Sequence, residues 1–151
     1  MPFATIATDA APRAIGPYCQ AILREGPAER TLHCAGQIAL DPATQQIVEG
    51  DARVHTERVM ANLRAVLEAA GMGFADVVKS TIFLVDLADF AAMNEVYGAC
   101  FGDRPPPRST VQVAALPRGS RVEIEVLAVQ ERRAARRPRK APRGRRRTSR
   151  R

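Results

Sequence analysis

The stretch PPPRSTVQVAALPRGSRVEIEVLAV, residues 105–129, decides how this chain is read. Three prolines hold the backbone extended and stiff ahead of Arg108. Polar and apolar residues then alternate, with Arg108, Thr110 and Gln112 on one face and Ser109, Val111 and Val113 on the other. After Pro117-Arg118-Gly119-Ser120, a second alternation sets Val122, Ile124 and Val126 against Glu123, Glu125 and Leu127. The period of two predicts strands over about 108–115 and 121–129. Glu123 or Glu125 is then expected near Arg108, and register decides which, because a one-residue slip exchanges the faces. A planar guanidinium takes a carboxylate through two parallel hydrogen bonds. In a pocket, Arg108 would therefore suit a small carboxylic acid. On a surface it would be a solvated ion-pair partner.

Upstream, residues 3–8, 18–24 and 31–38 read as strands, the third closed by a turn at Asp41-Pro42. From Asp51 to Ala70 the pattern turns helical: Val59, Leu63, Val66 and Ala70 form one stripe, Asp51 is a suitable N-cap and Gly71 a stop. Val77 to Val85 is a strand apolar on both faces, with Val78, Ile82 and Leu84 opposing Val77, Phe83 and Val85. A second helix is expected over about 89–101, carrying Phe90, Met93, Asn94, Tyr97 and Phe101 on one face. Asn94 is a polar residue on that stripe, so it either pins backbone or faces a ligand. The order β-β-β-α-β-α-β-β predicts an α+β domain: a mixed six-stranded sheet with two helices on one face. Nothing remains in the sequence to cover the other face, which predicts oligomerisation.

Charge divides the chain. Residues 131–151 hold 12 Lys and Arg against one Glu, a net of +11, whereas the first 130 hold 11 basic and 15 acidic residues, a net of −4. We expect a domain over 1–130 and a disordered basic tail over 131–151, because like charge and few large apolar residues cannot repay ordering. The tail is suited to non-specific contact with nucleic acid or another polyanion. No run approaches the ~20 apolar residues that span a bilayer, and no secretory signal opens the chain, so the cytoplasm is the expected compartment. Cys19, Cys34 and Cys100 are widely spaced and odd in number, which argues against a disulfide framework or a zinc site. His33 and His55 read as structural. There is no phosphate-cradling loop and no nucleophile elbow.

Five segments resemble the RidA/YjgF family of reactive-intermediate deaminases, also described as the endoribonuclease L-PSP family. They are Ala14-Ile15-Gly16-Pro17-Tyr18-Cys19-Gln20-Ala21; Ala35-Gly36-Gln37-Ile38 with Leu40-Asp41-Pro42; Val77-Val78-Lys79-Ser80-Thr81 through Asp86; Phe90 through Asn94-Glu95-Val96-Tyr97 to Phe101; and Arg108 to Val113 continuing through Leu116-Pro117, Gly119 and Val122-Glu123-Ile124-Glu125. They span about residues 12–129 in the family's order. The resemblance implies a chorismate-mutase-like subunit and a homotrimer, with three sheets forming a central barrel and pockets between subunits. It implies hydrolysis of 2-enamine and 2-imine acids, such as 2-aminoacrylate, 2-iminopropanoate and 2-iminobutanoate, to 2-keto acids and ammonia, without metal or organic cofactor.

Carried over by position, Arg108 matches the arginine that clamps the substrate carboxylate and Glu123 the acid that positions water. Tyr18, Gly36 and Asn94 match pocket positions, and Thr110 lies where backbone groups meet the ligand. The chain departs from the pattern at Cys19 and Ala35, where serines are common, at Thr110, where many members have cysteine, at Pro107 in place of alanine, and at His55 in place of glutamine. Two other classes remain open. One is an RNA-directed translation inhibitor or endoribonuclease, favoured by the tail but short of stacking aromatics. The other is a non-catalytic module that binds small carboxylates.

Overall fold

The computed structural model describes residues 3–132. The predicted tail therefore lies outside the described residues except for Glu131 and Arg132. Seven strands and two helices follow one another as β1 (Phe3–Ile6), β2 (Ala21–Glu25), β3 (Glu29–Cys34), β4 (Gln37–Ile38), α1 (Ala52–Ala69), β5 (Val77–Leu84), α2 (Phe90–Phe101), β6 (Arg108–Gln112) and β7 (Val122–Glu131). The expected six strands become seven because the 31–38 run breaks at Ala35-Gly36. There the Ala35 N–H still reaches the carbonyl of Gln20, at 2.9 Å, in line with the β2–β3 register, while the pairing with β7 shifts by one residue between His33 opposite Leu127 and Gln37 opposite Ile124. The strand expected over 18–24 starts only at Ala21, and β6 ends at Gln112.

The sheet order is β1-β2-β3-β7-β5-β6, with β4 also paired to β7. All pairings are antiparallel except β5 with β6. The mixed sheet carries both helices on one face, as an α+β domain. On that face Val122, Ile124, Val126 and Ala128 of β7 are buried, with Ile82 and Leu84 of β5 and Leu23 and Leu32 of β2 and β3. Helix α1 meets them with Val59, Leu63, Val66 and Leu67, all fully buried, and it also packs on α2. Burying such side chains stabilises the fold by about 1.5–3 kcal/mol each.

The helix ends follow the sequence signals. The Asp51 carboxylate accepts from the Val54 N–H at 3.0 Å, satisfying one of the unpaired donors of the first turn. Gly71, at φ 69°, takes the left-handed conformation that stops α1. Strand β5 departs from the prediction. A bulge between Val77 and Lys79 shifts the alternation. Val77 therefore shares the buried face with Ser80, Ile82 and Leu84, while Val78 is left exposed.

Buried polar groups that periodicity alone did not flag fasten the loops. Gln20 reaches back to the 8–12 segment: its amide nitrogen donates to the carbonyls of Thr8 and Pro12 at 3.0 and 2.8 Å, and its oxygen accepts from the Thr8 N–H at 2.7 Å. Asn62, fully buried on α1, donates to the carbonyls of Ile38 and Leu40 at 3.2 and 2.9 Å. His55 is structural, as expected. Its Nδ1 accepts from the Arg121 N–H at 3.1 Å, and burial lowers its pKa, which suits a neutral acceptor. Burial pushes the Cys34 thiol up to about 12, as befits a core residue.

Candidate active site

Glu123 stands on β7 opposite Ile38 of β4, beside the break after β3. It is half-buried. Desolvation, followed by repulsion from the Glu125 carboxylate, raises its pKa above the ordinary glutamate value. Gly36 gives it room. A Cβ added there would lie 2.9 Å from Glu123 Cδ and still closer to Oε1, so any side chain would displace the carboxylate. Together with Ile15, Tyr18, Ala35, Ile38 and Pro117, these two residues line a cleft of about 290 Å³. Tyr18 is half-exposed at its rim, and its hydroxyl accepts from the Ile15 N–H at 3.2 Å. The apolar walls and single carboxylate make a place where a small polar ligand meets one acid.

Arg108 occupies a different place. β5 lies between β6 and β7, so the last two strands do not pair. Ile82 faces both Thr110 and Ile124 in the register, which puts Arg108 and Thr110 on the helix face with Ile124. Glu123 and Glu125 point from the opposite face. The expectation that one of them stands beside Arg108 in the chain is therefore overturned: a strand separates them and the faces differ. Instead Arg108 leans on α2. Its Nη2 donates to Asn94 Oδ1, and its guanidinium lies over the rings of Tyr97 and Phe90, with Cζ 4.9 and 5.5 Å from their centroids. The sequence leaves Asn94 to pin backbone or face a ligand; its amide oxygen instead holds the arginine, a contact that neither expectation named. Among the described residues no carboxylate pairs with Arg108. The buried Thr110 hydroxyl likewise has no hydrogen-bond partner there.

Each chain thus presents two separate clusters, which a shared pocket would make two half-sites. One gathers Tyr18, Gly36 and Glu123, and the other gathers Arg108, Asn94 and Thr110. Sequence reading missed Phe90, Tyr97 and Ser80 as neighbours of the arginine. The i, i+4 and i+7 spacing of Phe90, Asn94 and Tyr97 was the available signal. Among the described residues no group of three or more His, Cys, Asp or Glu is placed to hold a metal ion, and no helix is long and apolar enough to cross a membrane.

A two-layer α+β domain, with an arginine held against one helix on one sheet face and a half-buried acid on the other, defines the class by its fold. The comparisons with known proteins make the class specific. The family model for endoribonuclease L-PSP matches residues 8–130, and the chain belongs to that family, the RidA/YjgF proteins. It is 56% identical over 124 residues to the protein DfrA of Myxococcus xanthus, covering 82% of this chain and 93% of DfrA. It is 46% identical to the 2-iminobutanoate/2-iminopropanoate deaminase of Capra hircus, covering 83% and 88%. Among solved structures it resembles RidA from an Antarctic Psychrobacter, with a TM-score of 0.77, 45% identity and coverage of 83% and 98%. It also resembles Escherichia coli TdcF with bound serine, with a TM-score of 0.75, 38% identity and coverage of 84% and 98%.

Proposed function

We propose that this protein is a 2-iminobutanoate/2-iminopropanoate deaminase whose pocket is completed by a second copy of the chain. The observation that carries the reading is Arg108: a cation held on two rings and an amide, with no carboxylate partner among the described residues. In the proposed complex the guanidinium takes the substrate carboxylate in a bidentate pair. The Glu123 half-site of a neighbouring copy supplies the acid, in a homotrimer built over the open sheet face. Named deaminases at 46% identity support the activity.

The chemistry needs little more than placement. Arg108 fixes the carboxylate and so orients the imine carbon. A water held by the Glu123 carboxylate adds its oxygen to that carbon while the imine nitrogen is protonated. The carbinolamine then expels ammonia, leaving the 2-keto acid. Because the uncatalysed hydrolysis is easy, positioning supplies the acceleration required. The half-buried carboxylate, with its raised affinity for a proton, is suited to take the proton the water loses.

The test is competition for imine. An amino-acid oxidase generates 2-iminobutanoate in the presence of semicarbazide, and loss of semicarbazone is followed. Suppression by the wild type and not by Arg108→Ala is expected. A folded wild type that suppresses nothing overturns the enzyme and leaves a small-carboxylate-binding module.

A second reading concerns residues 131–151, whose net charge of +11 favours contact with nucleic acid or another polyanion. Removing residues 133–151 should abolish RNA retention that falls steeply with salt. Retention unchanged by the deletion overturns this role.

A further inference from the structure

Behind Arg108 lies a buried polar pair that neither half-site accounts for. The hydroxyls of Ser80 and Tyr97 are 2.6 Å apart, and both residues are almost wholly buried, at 1% and 2% exposure. Ser80 sits opposite Arg108 in the parallel β5–β6 register. Its backbone N–H donates to the carbonyl of Pro107, at 3.2 Å, immediately before the arginine. Tyr97 presents its ring to the Arg108 guanidinium at 4.9 Å and packs on Phe101, with centroids 4.6 Å apart. Phe101 in turn meets Phe74 edge-on at 5.1 Å. One serine therefore touches both ends of the problem: the backbone from which Arg108 springs, and the phenol whose ring supports the guanidinium.

We propose that Ser80 and Tyr97 are positioning residues that hold the Arg108 guanidinium in the plane that receives a carboxylate. Three effects act together. A cation over an aromatic face is attracted by the ring quadrupole, more strongly where water is excluded. A buried phenol needs a partner for its hydroxyl, and Ser80 provides it, which fixes the ring's position. The Asn94 amide then sets the rotation of the guanidinium about its own axis, leaving its other donors for the ligand. Burial raises the Tyr97 pKa, while the Ser80 hydrogen bond and the Arg108 charge pull it back. The phenol thus stays protonated through neutral pH.

This inference rests on the reading of Arg108 as the carboxylate clamp, and its test separates the two. Binding of 2-oxobutanoate is measured by calorimetry, and imine hydrolysis by steady-state kinetics, for wild type, Arg108→Ala, Tyr97→Leu, Tyr97→Phe and Ser80→Ala. Arg108→Ala should lose 2-oxobutanoate binding, and retained binding overturns the clamp itself. Tyr97→Leu should weaken binding roughly tenfold and raise KM more than it lowers kcat. Tyr97→Phe, which keeps the ring, should recover most of that loss. Ser80→Ala should weaken binding about threefold, and adding Tyr97→Phe to it should cost little more, because the two hydroxyls act as one unit. Loss of binding in Arg108→Ala, with wild-type binding and KM in both Tyr97→Phe and Ser80→Ala, overturns the role of the hydroxyl pair. If Tyr97→Leu fails to fold, those two conservative variants decide alone.

Discussion

The two half-sites of this chain contrast in how complete they are. The Arg108 cluster is braced within the chain: strand β6 delivers the residue, and α2 supplies its rings and its amide. The Glu123 half opens outward as a cleft walled by β4, the 15–18 loop and Pro117. Both depend on the period of two along a strand. On β7, Val122, Ile124, Val126 and Ala128 are sealed under the helices, while Glu123 and Glu125 stand on the side that no helix covers. A single strand thus builds the core with one face and carries its carboxylates on the other. The contrast teaches that the sheet sends its own Arg108 and Glu123 to opposite faces, with β5 between their strands.

The sharpest way to break this comparison is complementation. Arg108→Ala and Glu123→Gln should each lower imine hydrolysis by about a hundredfold or more. Unfolded together in equal amounts and reassembled, they should recover about one quarter of wild-type activity, because random assembly pairs an intact arginine with an intact acid in that share of intersubunit pockets. Absence of recovery in well-formed mixed oligomers would place both residues in one chain's pocket.

Next in size is the sealed face. Leu63→Ala should cost about 2–5 kcal/mol in denaturant unfolding. Val111→Ala, at an exposed position on the open face, should cost far less. A Leu63→Ala loss below 1 kcal/mol would mean that the helix face is not the core.

Smaller again is Gly36→Ala, whose Cβ would push the Glu123 carboxylate aside. It should lower kcat roughly tenfold while leaving 2-oxobutanoate binding within about twofold, since the arginine half is untouched. A matching loss of binding would show that the two halves are not separable.

The smallest effect is on pH. In the proposed mechanism Glu123 works as a carboxylate, so its raised pKa should place the acidic limb of activity above the ordinary glutamate value. Glu125→Gln removes the repulsion that contributes to the shift and should move that limb to lower pH. The sign for stability is opposite. A raised folded-state pKa favours the protonated fold, so this contribution is full below the unfolded value and is lost as pH rises through the folded one. Glu123→Gln should flatten that decline, and a limb unmoved in Glu125→Gln would assign the shift to desolvation alone.

Much of the fold was legible in the sequence because its signals are local. The α1 stripe, the Asp51 cap and the Gly71 stop each depend on neighbours within a turn or two, and each stands where the periodicity put it. The site residues were legible as two lists but not as a geometry. Val78 shows why: a single bulged residue in β5 reverses the alternation, and no local pattern announces it. Gln20 and Asn62 were missed because an amide's carbonyl partners lie 8 to 24 residues away.

By itself the sequence determined the α+β class, the two helices, the acidic body with its basic tail, and the family to which Arg108 and Glu123 belong. Those follow from residue type, short-range period and the order of motifs along the chain. Only the tertiary structure decided that β5 runs between β6 and β7, and in a register that sends the arginine and the acid to opposite faces. Strand neighbours are chosen by long-range pairing and by which face the helices can cover, and both are settled by the packing of the whole sheet.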